Sequence, residues 1–477
     1  MDMNSGGSGP KSSRRDLLKA GAVLGFPTIV PSRVFGAAAP SNLIQVAQIG
    51  CGRIARGSEF PGILRNSDVA RFTAVCDLDT VRLNDAKTLI ESAYAKKFGS
   101  AGYSKLKTYT NYGEMLEDKS IDAVAISTPD HWHALPAMEA AAAGKDIYLQ
   151  KPASLTIKEG RQMANMLKQT GRILQLGSQQ RSEPQWRIAS ELVRNGRIGK
   201  LQQILIGLPE DPGGDEEREM PVPSNLNYEM WLGSTPVVYY TEKRVHPQAA
   251  ESHQRYDRPG WLRCEQFGAG MITGWGAHHI DIAHWAMDTE YTGPVEIEGM
   301  ATFPKKGLWD VHGKYHVRAR YANGVDMYIS DKYPNGVKFI GESGWIWVTR
   351  GRFQPGEPAP GERSKVFDAS DPRIIREGIK PREIHLHQSP KDDHHLDWLT
   401  SIRTRKQPAT NAEIGHRSCS ACLLAHAAMK LERTLRWNPQ AECFIKDEQA
   451  NALLSRPQRA QYGTDQFAAK HGRDTSN

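Results

Sequence analysis

Lys151 stands between a short apolar run and a proline, in the stretch Asp146 to Pro152, DIYLQKP. A lysine at such a strand end can donate a hydrogen bond to an oxygen whose carbon is being oxidised. It can also relay the proton of that oxygen if burial lowers its pKa. Two further stretches end the same way, Ser127 to His133 (STPDHWH) and Gly177 to Arg181 (GSQQR). Strand ends of an open parallel sheet line its ligand crevice. His133 and Arg181 are therefore candidates to position a substrate. A second constellation lies in MITGWGAHHIDIAHWAMD, Met271 to Asp288, with His278, His279, Asp281 and His284 within two helical turns. The i, i+3 spacing places His278 and Asp281 on one face. An imidazole there can act as general base with the carboxylate orienting it. His279 and Asp281 join the candidate substrate contacts. No metal site is expected, because His278 and His279 point to different faces and spacing fixes no third ligand.

These groups need a scaffold, and the stretch Ile44 to Gly57, IQVAQIGCGRIARG, supplies its start. An apolar, β-branched run enters a turn at Gly50-Cys51-Gly52, and a helix-compatible segment follows from Arg53. That order suits a dinucleotide pyrophosphate, which lies against close backbone and a helix N-terminus. Gly50, Gly52, Arg53 and Ile54 are the expected cofactor contacts. The third small position is Ala55. Arg71 to Asp79 reads as the second strand, with Asp77 closing it. An acid there binds ribose hydroxyls and repels an extra phosphate, which favours NAD while leaving NADP open.

Strand and helix patterns alternate as far as about Gln180, predicting a parallel sheet with helices on both faces. Beyond it the pattern changes. Strand-like runs at 295–303, 315–321, 325–331, 337–341 and 344–349 are joined by Asn-Gly or Glu-Ser-Gly turns, which predicts antiparallel hairpins. The fold class expected is an α/β Rossmann domain plus an α+β domain with a large open, mainly antiparallel sheet. The boundaries are 41–178 for the first domain and 179–440 for the second, with a polar tail over 441–477. Long irregular stretches, 209–263 and 350–390, read as functional loops or wrapping arms. The aromatics of the first, Trp231, Tyr239, Tyr240, Tyr256 and Trp261, suit either sugar stacking or anchoring of the loop.

The 477 residues carry a net charge of +7 from 61 basic and 54 acidic side chains, an excess too mixed to favour nucleic acid. Residues 1–40 read as a twin-arginine export signal. Ser13-Arg14-Arg15-Asp16-Leu17-Leu18-Lys19 precedes a modest apolar run, and Ala37-Ala38-Ala39 offers a cleavage site. No stretch is apolar for long enough to span a bilayer. Twin-arginine export carries folded proteins, so the expected location is the periplasm or another exported site, with the cofactor held across turnovers. Of six cysteines, Cys419 and Cys422 form a single CxxC inside a helical stretch, which reads as packing rather than a zinc or redox motif.

The motifs Gly50-Cys51-Gly52-Arg53-Ile54-Ala55, Asp77, Thr128-Pro129-Asp130-His131-Trp132-His133 and Gln150-Lys151-Pro152 together resemble the Gfo/Idh/MocA family, over roughly residues 42 to 440. The resemblance implies hydride transfer between NAD(P) and a carbohydrate or polyol carbon. It also implies pairing of the large sheet in dimers or tetramers. It places Lys151 on the lysine of the family's Glu-Lys-Pro motif, with Gln150 in the glutamate position. Thr128, Pro129 and His133 fall near the nicotinamide. His278 falls on the catalytic histidine of the second domain, but the acid usually four residues earlier is Gly274. Lys151 and His278 are thus the expected catalytic pair. The signal and the Gly-Ala-His-His-Ile-Asp run (276–281) also resemble secreted relatives that include redox-neutral, NAD-dependent glycosidases. A non-catalytic sugar-binding protein is the third reading, kept open by Gly274.

Overall fold

The computed structural model describes residues 43–99, 103–351 and 366–471. The twin-arginine stretch lies outside them. From Ile44 onward the chain forms one compact unit that holds two sheets.

The first sheet has six parallel strands: β1 (Ile44–Ile49), β2 (Ala70–Cys76), β3 (Lys107–Tyr109), β4 (Ala123–Ile126), β5 (Asp146–Leu149) and β6 (Leu174–Leu176), in the order β3-β2-β1-β4-β5-β6. Strands β4 and β5 are buried on both faces, so they read as short continuous apolar runs. The order reverses between β1 and β4, which opens a crevice at their carboxyl ends. Helices α1 (Phe60–Arg65), α2 (Thr80–Phe98), α3 (Tyr112–Glu117), α4 (Ala134–Ala142) and α5 (Ile157–Thr170) accompany these strands. Asp79 caps α2 by accepting from Val81 and Arg82 N–H. Thr156 and Glu159 form a capping box on α5, which ends at left-handed Gly171.

After α6 (Pro184–Arg194) the second sheet begins. Its strands are β7 (Leu201–Gly207), β8 (Glu296–Ala301), β9 (Tyr315–Arg320), β10 (Asp326–Ser330), β11 (Gly336–Gly341), β12 (Gly344–Val348), β13 (Phe367–Ala369), β14 (Leu435–Asn438) and β15 (Cys443–Phe444). Their order is β13-β12-β11-β7-β10-β9-β8-β14-β15, and every pairing is antiparallel except that of β7 with β10. Alternation along the strands sends Val317, Ala319, Met327, Ile329, Ile346 and Val348 to one buried face. Helices α7 (Gly276–Met287) and α9 (Ala412–Leu431) share that core with the sheet, through Ile280, Ala283, Cys422 and Ala425. The connection from β7 to β8 carries both the long irregular arm and α7, so it delivers His278.

Two expectations about organisation change. Helix α8 (His394–Thr404) lies within the expected second domain, yet Trp398 and Leu399 are buried in the core of the first, with Phe60 and Tyr148. Residues 441–477 were expected as a tail. Within them β15 extends the sheet, and α10 (Thr464–His471) is tied to α5 by a Lys158–Asp465 ion pair of 2.9 Å. In both cases apolar side chains spaced along a polar segment find a partner far away in sequence. No helix among the described residues is long and apolar enough to cross a membrane.

Candidate active site

A cavity of about 330 Å³ opens at the carboxyl ends of β1, β4 and β5. Gly50 has φ +81°, and a Cβ there would sit 2.8 Å from the Ser127 carbonyl oxygen, so the turn demands glycine. A Cβ on Gly52 would meet nothing closer than an Arg82 nitrogen at 3.9 Å, which leaves open backbone for a bulky anion. The chain then enters a π-turn (Ala55–Glu59) leading into α1. Asp77 braces the turn by accepting from Cys51 N–H (2.6 Å) and Asp79 N–H (2.9 Å). Burial pushes its carboxyl up to about 6. Gly50, Gly52, Arg53, Ile54, Asp77, Thr128, Pro129, His133 and Lys151, the expected cofactor contacts, all line this one cavity. The cradle and its acid fit a dinucleotide.

At the other end stand Lys151, Asp130 and His278. Lys151 Nζ donates to the Gly274 carbonyl at 2.9 Å. Burial drives the lysine pKa down, Asp130 opposes that, and Arg350, Arg53 and Arg258 drive it lower. Burial likewise drives the Asp130 carboxyl up, against the pull of Lys151. Each is felt by the other as a charge across the cavity, while the hydrogen bond of Lys151 goes to Gly274. His278 is neutral near pH 7, because burial and the nearby Arg350 and Lys151 hold its pKa well below the usual value. Its Nδ1 is buried with no hydrogen-bond partner among the described residues. The ring lies edge-on to Trp275, 6.2 Å between centroids, and Trp231 and Trp261 also line the cavity.

Three expected substrate contacts are placed elsewhere. Arg181 is fully buried, and its guanidinium is saturated by Asp281 (2.7 and 2.8 Å) and Glu290 (2.5 Å). Asp281 also accepts from Ser418 and so does not orient His278. His279 contacts Asn335 at 2.8 Å and packs against Trp186 and Trp275. The i, i+3 spacing does not bring His278 and Asp281 to one partner, since His278 lines the cavity while Asp281 turns toward Arg181 and α9. His133 is at the cavity, but both ring nitrogens face carbonyls, Pro152 (2.5 Å) and Thr128 (2.9 Å). It braces two strand ends and offers the cavity only its ring.

The sequence reading missed several residues. Glu59, with no exposure, accepts from Ser127 Oγ and from Gln150 Nε2, each at 2.7 Å. Its position in an unremarkable helical stretch gave no signal. The 209–263 arm was foreseen as wrapping, but its target was not. Asp79 receives His246 (3.0 Å), Gln248 (3.0 Å) and Asn225 (2.8 Å) from the arm. Burial alone would raise that carboxyl, yet these partners hold it below the usual range. The Tyr256 ring lies against the guanidinium groups of Arg56 (4.1 Å) and Arg82 (4.8 Å), and its hydroxyl donates to Asp85. Of the remaining arm aromatics, Tyr240 is buried in the arm's own cluster with Tyr228 and Phe267, while Tyr239 is exposed.

Residues 44–178 match a family model described as the oxidoreductase family's NAD-binding Rossmann fold, and residues 212–349 and 361–464 match its C-terminal alpha/beta domain. The chain belongs to the Gfo/Idh/MocA oxidoreductase family. NAD is the cofactor that this site is built for. Within the Gfo/Idh/MocA frame the Gln150 departure acquires a meaning. The carboxylate missing from the motif is present in space as Glu59, hydrogen-bonded to Gln150. At Gly274 the backbone carbonyl takes Lys151, and a side chain there would meet only Met271, at 3.5 Å from its Cβ.

Among curated proteins the chain is 39% identical over 87 residues to scyllo-inositol 2-dehydrogenase (NAD(+)) of Bacillus subtilis, covering 18% of this chain and 25% of that protein. It is 30% identical over 163 residues to an uncharacterised oxidoreductase of Rhizobium meliloti, covering 34% and 45%. It is 26% identical over 201 residues to a glycosyl hydrolase family 109 protein of Stenotrophomonas maltophilia, covering 42% and 43%. The chain thus spans less than half the length of each. Among solved structures, the WlbA dehydrogenase of Bordetella pertussis, in complex with NADH and UDP-GlcNAcA, shares the fold. Its TM-score is 0.57 at 15% identity, over 83% of this chain and 99% of that one.

Proposed function

We propose that the protein is an exported oxidoreductase that oxidises or reduces a carbohydrate or polyol carbon with an NAD that stays bound. The observation that carries the reading is the meeting of the dinucleotide cradle with Lys151, Asp130 and His278 in one cavity. The bound nicotinamide supplies a hydride acceptor and donor. Lys151 in its neutral form takes the proton of the substrate hydroxyl, and the Asp130 carboxyl favours the charge that results. The Gly274 carbonyl aims the lysine, and Glu59 with Gln150 fixes the strand end that carries it. His278 contacts the substrate as a neutral acid/base. Trp261, half-buried at the cavity, offers an apolar surface to a sugar ring.

Retention of the cofactor is supported by the arm, whose contacts with Asp79, Arg82 and Asp85 strap it across the end of the cleft where Asp77 lies. Export is supported by the Ser13 to Lys19 motif. A homo-oligomer is supported by the second sheet's other face, on which Met300 is exposed and Tyr328 and Trp345 are partly exposed. Likeness to a family 109 glycosyl hydrolase favours a second reading, in which the hydride returns to the same sugar after a leaving group departs.

The test is a mass spectrum of small molecules released on denaturing the purified chain, followed by incubation without added cofactor. Near-stoichiometric NAD that is reduced by a sugar or polyol is expected. Release of aglycone from an aryl glycoside with no net reduction would favour the second reading. Absence of any nucleotide, with no binding of added NAD, would overturn both.

A further inference from the structure

The cations around the cavity divide into two groups. Arg53 follows the glycine turn directly, and Arg258 lies close enough to depress its pKa. Both line the cavity and, like Arg350, lower the Lys151 pKa. Arg350, at the end of β12, belongs to the other side. Its charge is felt by Lys151, His278 and His279, and its guanidinium rests on the Trp275 ring at 4.6 Å. The Gln180 amide, turned to donate to the His278 carbonyl (3.1 Å), accepts from Arg350 Nε at 3.1 Å. No carboxylate lies within ion-pair distance of Arg350 among the described residues, and Glu183 acts on it only from farther away. Burial pushes even this arginine's pKa down, although its surface is accessible. With Nε tied to Gln180, the two terminal nitrogens are a forked, pre-oriented donor at the cavity, without a carboxylate partner among the described residues.

Building on the oxidoreductase reading, we propose that the substrate is an acidic sugar whose anionic oxygen group is held by Arg350 over Trp275. A uronic acid carboxylate and a sugar phosphate present the same fork-matching oxygens. The aromatic floor takes the ring, and the anion fixes which carbon faces Lys151 and His278. The ion pair would also remove a positive charge from the surroundings of Lys151 and raise the lysine's affinity for the substrate proton.

The test uses the full chain with its cofactor reduced, followed by nicotinamide fluorescence. D-glucuronate, D-galacturonate and D-glucose 6-phosphate are titrated against neutral D-glucose and D-galactose. At least one acidic sugar is expected to bind about tenfold or more tightly than its neutral counterpart, and the identity of the winner separates carboxylate from phosphate. Arg350→Gln should collapse that ratio towards one, and Arg350→Lys should leave it intermediate. A melting curve on each variant verifies folding, and the wild-type ratio stands on its own if a variant fails. If neutral sugars reduce the bound cofactor while acidic ones bind no better, the anion site falls alone. An acid preference that survives in Arg350→Gln also overturns it. If no sugar of either kind perturbs the nicotinamide, the oxidoreductase reading falls with it.

Discussion

Two arginines flank helix α7 and have opposite surroundings. Arg181 is buried with Asp281 and Glu290, and Arg194 extends the knot through Glu290 at 2.9 Å and Asp288 at 2.8 Å. Every charge there is answered within the chain. Arg350, Lys151 and His278 share a cavity on the other side, and their charges and lone pairs are only partly answered. Polar groups left open at a cavity, here the exposed Arg350, the half-buried Lys151 and the buried His278, are the ones placed to meet a ligand. Satisfaction, rather than residue type, separates the scaffold from the site.

The sharpest way to break this contrast is to remove one arginine from each side. Arg181→Met strands the buried Asp281 carboxylate, while Glu290 keeps Arg194, and should cost about 3–5 kcal/mol in denaturant unfolding. Arg350→Gln should move the same curve by no more than about 0.5 kcal/mol. Equal losses would erase the distinction. Lys151→Met should lower reduction of bound NAD by a reactive sugar by about 10²–10⁴-fold, with much less effect on the unfolding midpoint. Unchanged turnover would remove Lys151 from the chemistry.

Acid probes both sides at once. His279, His284 and His394 have pKa values held at about 4 by burial, against an ordinary 6.5. The unfolded chain therefore binds protons that the folded one refuses. Their stabilising contribution is present above pH 6.5 and is lost as pH falls towards 4, with a slope of up to about 1.4 kcal/mol per pH unit for each histidine. A melting temperature flat over that window would contradict it. The gentlest change is Gly274→Asp, which fits with an ordinary contact to Met271. A carboxylate beside Lys151 should raise its pKa and move the rising limb of the pH–rate profile by about one unit to higher pH. A limb that stayed in place would show that Lys151 does not set it.

Much of this molecule was legible in the chain. The glycine turn, five of the six parallel strands and the hairpins β9–β10 and β11–β12 follow from local periodicity and from residues with special backbone freedom, whereas β7 enters between β10 and β11, where the turn signal pointed to a further hairpin. Lys151 was legible because a strand end and a proline fix its place. Asp281 was misjudged for an instructive reason. Helical spacing puts His278 and Asp281 within one turn but does not say what each meets, and here His278 meets the cavity while Asp281 meets Arg181. Glu59 was invisible because its role exists only through Ser127 and Gln150, each more than sixty residues away.

The sequence alone determined the family motifs, the dinucleotide cradle and the strand end that carries Lys151, since each depends on short-range backbone geometry, while the meeting of Lys151 with His278 was only implied by the family resemblance. Tertiary structure alone decided which charges were spent on the fold and which were left for a ligand. It closed the arm over Asp79, supplied the motif's missing carboxylate from Glu59 and gave Lys151 the Gly274 carbonyl. These are contacts between distant segments, and their strength depends on burial, which no local pattern encodes.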